Sequence, residues 1–190
     1  SNNLQPATSL AIYDMAEVHA LEGLAQRAFT LACTNFNLVV AQAGFEDVRE
    51  ATLVELIRSD AANASEVDIF GAVMRWVKHD VTHRARSLET LLPHVRFPLM
   101  SDAHMRACIL SEPLARESPC WHDLDMESRA YRRLSREERA AAAPTERATP
   151  RVRGGFIYSV GGTDGSSITS SAQRFSTTRC VWEKLPPMRT

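Results

Sequence analysis

At 190 residues the chain has room for one ordinary domain, or for one small domain plus a fragment of another. Hydrophobic residues at 44% and charged residues at 24% exclude a chain that is disordered throughout. A formal net charge of −1 gives the whole chain no electrostatic case for nucleic acid or an anionic membrane. No apolar run approaches the roughly 18 residues of a membrane span, and the first residues lack the basic-then-apolar order of a signal peptide. Cys33, Cys108, Cys120 and Cys180 are scattered, which makes neither a disulfide framework nor a zinc ligand set. Isolated thiols fit a reducing compartment.

Residues 1–60 hold 3 basic against 8 acidic side chains, so the first part of the chain is acidic. From Thr8, a residue able to cap, to Glu22 there are good helix formers and no Pro or Gly, and Gly23 interrupts the pattern. Behind it Leu24, Ala28, Ala32 and Phe36 recur every four residues as one apolar stripe. Two helices with a short break predict an antiparallel hairpin. A shorter helix carries Leu53, Leu56 and Ile57 and ends near Ser59-Asp60. Ser65-Glu-Val-Asp68 is the clearest start signal, since the serine hydroxyl accepts from the N–H three residues on and the acidic groups favour the positive helix end. Ile69, Phe70, Val73, Met74 and Val77 then form a core-facing stripe with Trp76 on its margin. Leu88, Leu91, Leu92 and Val95 follow, with Pro93 ending or kinking their helix. Ser101 caps a helix with Met105, Cys108 and Ile109, and Trp121, Leu124, Ser128 and Tyr131 line one face of another. The expectation is six to eight short helices packed as pairs.

Residues 129–153 hold 8 arginines against 3 glutamates, and the tract 132–153 is rich in Arg, Ala, Pro and Thr. Interleaved acids and an alanine run favour a solvated linker or a short charged helix over a phosphate track. Beyond it the texture becomes β-like. Phe156–Val160 reads as a strand ended by Gly161-Gly162, Thr163-Asp164-Gly165-Ser166 as a turn, Ser171–Phe175 as a second strand and Val181–Leu185 as a third. Three such strands bury little by themselves.

Chemistry finds no constellation. His79 and His83 are four apart and can share a helix face, but spacing places no third ligand and Asp80 faces another way. His122-Asp123 is not a nucleophile-orienting pair, and no cysteine has a local base. Gly161-Gly162-Thr-Asp-Gly165 lacks the Lys-Ser/Thr ending and the following helix of a phosphate loop. No catalytic residue, metal or cofactor is therefore expected.

Gly161-Gly162, Asp164-Gly165, Phe175, Trp182 seven residues later, and Leu185-Pro-Pro-Met188 together resemble a kelch repeat, with Phe175 where the family usually has Tyr. The helical part resembles the BACK domain that lies between the BTB and kelch domains of Kelch-like proteins. The matching stretches are Leu10-Ala-Ile, Leu24, Asn35-Phe36, Ser59-Asp60, Ser65-Glu66 through Trp76-Val77, Val95-Arg96-Phe97-Pro98-Leu99 and Ala130-Tyr131. The resemblance implies a mainly α fold: a BACK-type bundle over 4–134, a linker over 135–153, and a partial β-propeller blade of about three antiparallel strands over 154–190. It further implies the middle part of a longer protein, with a BTB domain before it and the remaining blades after it.

By the same resemblance the function is a non-enzymatic interaction module, part of a substrate adaptor of a cullin-3 RING ubiquitin ligase. In that family the BTB domain makes the homodimer and binds the cullin. BACK extends the contact and orients the propeller, and the kelch loops capture a substrate protein. Leu10, Ile12, Leu21 and Leu24 of the first hairpin are the candidate cullin-proximal residues. A cytoplasmic, and also nuclear, location follows from the family, with no nucleic acid and no membrane as partner. A cytoskeletal, actin-associated kelch scaffold without a ligase role is the alternative, since fold does not fix function.

Overall fold

The first turn of the chain is set by Pro6, which opens a 3₁₀ turn over Pro6–Thr8 because its missing N–H costs nothing there. The computed structural model describes residues 4–141, 145–151, 156–163, 168–176 and 181–186. Thr8 is used up in that turn and donates to the Gln5 carbonyl, so it does not cap; helix α1 runs Ser9–Val18. The break that follows lies at Ala20 and not at Gly23. Ala20 takes φ 53°, its N–H donates to the Glu17 carbonyl, and the Leu21 N–H reaches back to Ala16 at 2.9 Å. That is a Schellman closure in which alanine occupies the left-handed position usually given to glycine, at a cost of about 1 kcal/mol. Gly23 instead sits in the first turn of α2, Glu22–Thr34, which packs on α1 with Tyr13 and Phe29 rings 5.1 Å apart. Helix α3, Phe36–Val40, continues from it, and Ala28, Ala32 and Phe36 are all buried as their spacing predicts.

Helix α4, Glu50–Arg58, buries Leu53, Leu56 and Ile57. Helix α5, Glu66–His79, starts on the expected box: the Ser65 Oγ accepts from the Asp68 N–H at 3.2 Å, and the Asp68 carboxylate accepts from the Ser65 N–H at 2.9 Å. This helix is the axle of the core, with Ile69, Phe70, Val73, Met74 and Val77 all buried. Trp76 is not marginal. It is 4% exposed, its indole N–H donates to the Val48 carbonyl at 2.8 Å, and the Arg84 guanidinium stacks 4.0 Å from its ring.

After α5 the helices are short: α6 (Val81–Arg84), α7 (Leu88–Leu91), α8 (Asp102–Leu110) and α9 (Pro113–Glu117). They precede α10 (Trp121–Arg133) and α11 (Arg136–Ala141). The described helical part thus has more and shorter helices than its periodicity predicts, because Asp80, Pro93, Pro98 and Pro113 each interrupt it. Pro93 turns the end of α7 into a 3₁₀ turn over Leu92–His94, as expected, and Ser101 caps α8 by accepting from the His104 N–H. Phe97 bridges the two halves of the core, edge-on to Phe70 at 6.1 Å and to Trp121 at 5.4 Å. No helix among the described residues is long and apolar enough to cross a membrane.

The chain divides into two units, Ser1–Val152 and Arg153–Thr190. The second is an antiparallel sheet in the order β1 (Phe156–Thr163), β2 (Ile168–Ser176), β3 (Val181–Leu185). Strand β1 does not stop at the double glycine. The pairing slips between Val160 and Gly162, and Gly161 at φ 67° takes the bulge, a position only glycine occupies without strain. Register aligns Ile157, Phe175 and Trp182 across one face and Val160, Ala172 and Leu185 across the other. Both faces therefore carry apolar rows, and Ile157 (57%), Val160 (59%) and Trp182 (54%) remain open to solvent. A three-stranded sheet with exposed apolar side chains on both faces has low local stability. In the 190-residue chain, amide exchange over 156–185 should be orders of magnitude faster than over 66–77. Equal protection measured by hydrogen exchange mass spectrometry would refute this.

Candidate interaction surfaces

Three features of the helical unit and the sheet bear on function: an apolar edge on the first hairpin, a strap seated on the bundle, and the ring pair of the sheet.

The hairpin presents apolar side chains to solvent where a closed bundle would hide them. Met15 (52%) and Val18 (73%), three apart on α1, share one exposed face, and Leu21 (49%) follows in the turn. Leu4 and Leu31 line a groove of about 440 Å³ along the outer side of α2 with Gln26, Arg27, Thr30 and Thr34. Of the residues singled out from sequence, Leu21 is on this surface, Ile12 and Leu24 are half-buried, and Leu10 is in the core. Met15 and Val18 were missed, since nothing in a helical repeat distinguishes an exposed apolar residue from one facing a neighbour. The hairpin is fixed to the rest of the bundle through Asp14, which accepts from Thr52 at 2.5 Å and from Arg49 at 2.7 Å.

The tract read as a linker over 135–153 is not uniform. It contains α11, and its described segment 145–151 is a strap held to the bundle at alternate residues. Arg147 pairs with Glu127 of α10 at 2.8 Å. The Thr149 carbonyl accepts from the guanidinium of Arg96, which also pairs with Asp60. Arg151, 1% exposed, pairs with Glu66 at 2.8 Å and donates to the carbonyls of Ser59 and His94, each at 2.9 Å. Glu66 is itself 6% exposed and its other oxygen accepts from the Arg96 backbone N–H at 3.0 Å. Every buried charge here has its partners, the condition under which such a group is tolerated. Composition gave no hint of this. A Pro-Arg after a run of exposed arginines looks like more of the same.

In the sheet, Phe175 and Trp182 are a cross-strand pair with ring centroids 5.3 Å apart, and Gly161 and Gly162 hold the bulge. Asp164 and Gly165 lie outside the described residues. His79 and His83 do not share a helix, because Asp80 (φ −146°) ends α5 and caps α6. Asp80 also faces His83, with Nδ1 2.8 Å from its carboxylate, correcting the expectation that it points away. No group of His, Cys, Asp and Glu able to hold a metal occurs among the described residues. Burial raises the Cys33 thiol, against smaller opposite effects of Ser59 and Arg151, and raises Cys108 too. Both are therefore poor nucleophiles at neutral pH. Cys180 lies outside the described residues.

The strap makes two measurable demands. Arg151→Met leaves the Glu66 carboxylate without its main partner and should destabilise the helical unit by about 3 kcal/mol in urea unfolding. The double variant Glu66→Leu/Arg151→Met should recover most of the loss, and a neutral single variant would show that the strap is not seated. His94 is half-buried beside the strap. Desolvation, against Glu146 and with help from Arg58, Arg151 and Arg147, holds its pKa below the ordinary value. The unfolded imidazole takes its proton near ~6.5 and the folded one only at lower pH, so stability is full above that value and falls as the folded group titrates. His94→Gln should flatten that acid limb of the stability profile, and an unchanged slope would contradict it.

Comparison with known families agrees with this geometry. The model of the BACK family (BTB And C-terminal Kelch) matches residues 9–110, from the start of α1 to the end of α8. The kelch motif matches residues 147–189, beginning in the strap and covering the sheet. These two modules typically serve protein interaction and carry no catalysis. With its bundle, strap and glycine-bulged sheet in this order, the chain belongs to the BACK family and is a Kelch-like protein-interaction module.

Proposed function

We propose that the chain is part of a substrate adaptor of a cullin-3 RING ubiquitin ligase, in which the helical hairpin adds to a cullin contact made chiefly by a BTB domain. The observation that carries this reading is the exposed apolar edge of Met15, Val18 and Leu21 at the turn end of the hairpin. A contiguous apolar edge on the module that adjoins BTB in this family is what a shared cullin groove needs. The seated strap supports the other half of the role. Arg151 fixes the strap on the bundle, and in sequence the strap directly precedes the kelch strands. Loops of the propeller built on that first blade would hold a substrate protein near the ligase. The gain is effective concentration, with no chemistry by this chain. The site sought is thus a surface, in a cytoplasmic and nuclear protein that dimerises through BTB.

Isothermal titration of the cullin-3 N-terminal region into the BTB-containing protein tests this. Val18→Asp/Leu21→Asp, at two exposed positions, should weaken binding roughly tenfold at unchanged melting temperature. Unchanged affinity removes the hairpin from the interface. No binding by the wild type overturns the adaptor reading in favour of a cytoskeletal scaffold.

A further inference from the structure

On another face of the helical unit, α8 and α10 enclose a groove of about 540 Å³. Its floor is apolar: Met105 and Ile109 of α8 lie beneath, Trp121 of α10 is half-buried, and Leu110 stands 61% exposed at the edge. Its walls are cationic. Arg129, Arg132 and Arg133 share one side of α10, and Arg106 and Arg116 reach in from α8 and α9. Two acids answer them: Asp125 pairs with Arg129 at 2.8 Å and Asp102 with Arg132 at 2.8 Å. Arg106, Arg116 and Arg133 have no ion-pair partner among the described residues and are exposed. The groove thus has an excess of three positive charges around an aliphatic and aromatic floor, in a chain whose overall charge is −1.

We infer that this groove docks an acidic amphipathic segment of a partner protein, with aliphatic side chains on Leu110, Ile109 and Trp121 and carboxylates on Arg106, Arg116 and Arg133. Charge complementarity selects the acid, and the apolar floor selects a peptide. A phosphate or nucleic-acid backbone would meet the arginines and leave Leu110 and Ile109 without use. The groove is of a size that takes several side chains, and the arginines and tryptophan that line it are residue types on which binding energy concentrates. The inference goes beyond the adaptor reading and holds whether or not cullin is bound.

The test is fluorescence anisotropy with the full chain and a labelled peptide of leucine and glutamate at helical spacing. Its counterpart with lysine in place of glutamate and an oligothymidylate serve as controls. The acidic peptide should bind, and more weakly as salt rises. Arg106→Ser/Arg133→Ser should weaken it about tenfold at unchanged melting temperature, and Leu110→Ser should weaken it as well. Arg116→Ser gives a second, single-site reading of the same wall. The lysine peptide should not bind. Absence of binding by the acidic peptide, equal affinity in the arginine variants, or an oligothymidylate that competes at equal strength would each overturn the inference.

Discussion

The helical unit is organised around one carboxylate. Glu66 sits in the first turn of α5, where the helix end favours negative charge, yet it is 6% exposed. One oxygen receives Arg151 at 2.8 Å and the other the Arg96 N–H at 3.0 Å. Residues 66, 96 and 151 belong to a helix start, a turn after Pro93 and the strap in which the kelch match begins, so a single buried group brings together three distant parts of the chain. Apolar replacement of such a pair is often no less stable, which makes net stability a poor reason for it. What the carboxylate does here is specify. Arg151 satisfies Glu66, Ser59 and His94 together only when the strap lies in one place.

Much of the bundle was legible because its cause is periodic. The α5 box at Ser65 and Asp68, the stripe from Ile69 to Val77 and the Pro93 turn each follow from spacing or from one residue's backbone chemistry. Legibility failed where the cause is a partner distant in sequence. Trp76 looked marginal because the groups that bury it, the Val48 carbonyl and the Arg84 guanidinium, lie outside the stripe. Ala20 is a different failure: a left-handed alanine has no sequence signal, and Gly23 drew the break three residues late. The three strands occur in the expected order and β3 has the expected bounds. Strand β2, however, starts three residues early at Ile168, and β1 runs on to Thr163, since the double glycine is a bulge within it and not its end.

The near-zero net charge first appeared to exclude anionic partners, and it does so only as an average. The arginines of 129–153 have separate employments in the structure. Arg147 and Arg151 fix the strap, Arg139 lies over Tyr131 at 5.3 Å, and Arg129 and Arg132 are paired on α10. Arg133 is left at the rim of the α8–α10 groove together with Arg106 and Arg116. Cationic excess is thus local, around an apolar floor, while the hairpin offers an apolar edge. An apolar edge and a cationic groove on one unit select partners of different chemistry.

The sheet completes this reasoning from the opposite direction. The helices close one core among themselves, whereas in the sheet Ala172 is buried while Ile157 and Trp182 on one face and Val160 on the other are exposed. Among the described residues of the sheet no buried charged group plays the part that Glu66 plays in the bundle, and antiparallel blades of this size gain order from neighbours. The two units therefore place their constraints differently. One is specified from within by Glu66, and holds the strap. The other carries its specification in apolar faces and in the bulge at Gly161, so its stability depends on what packs against those faces.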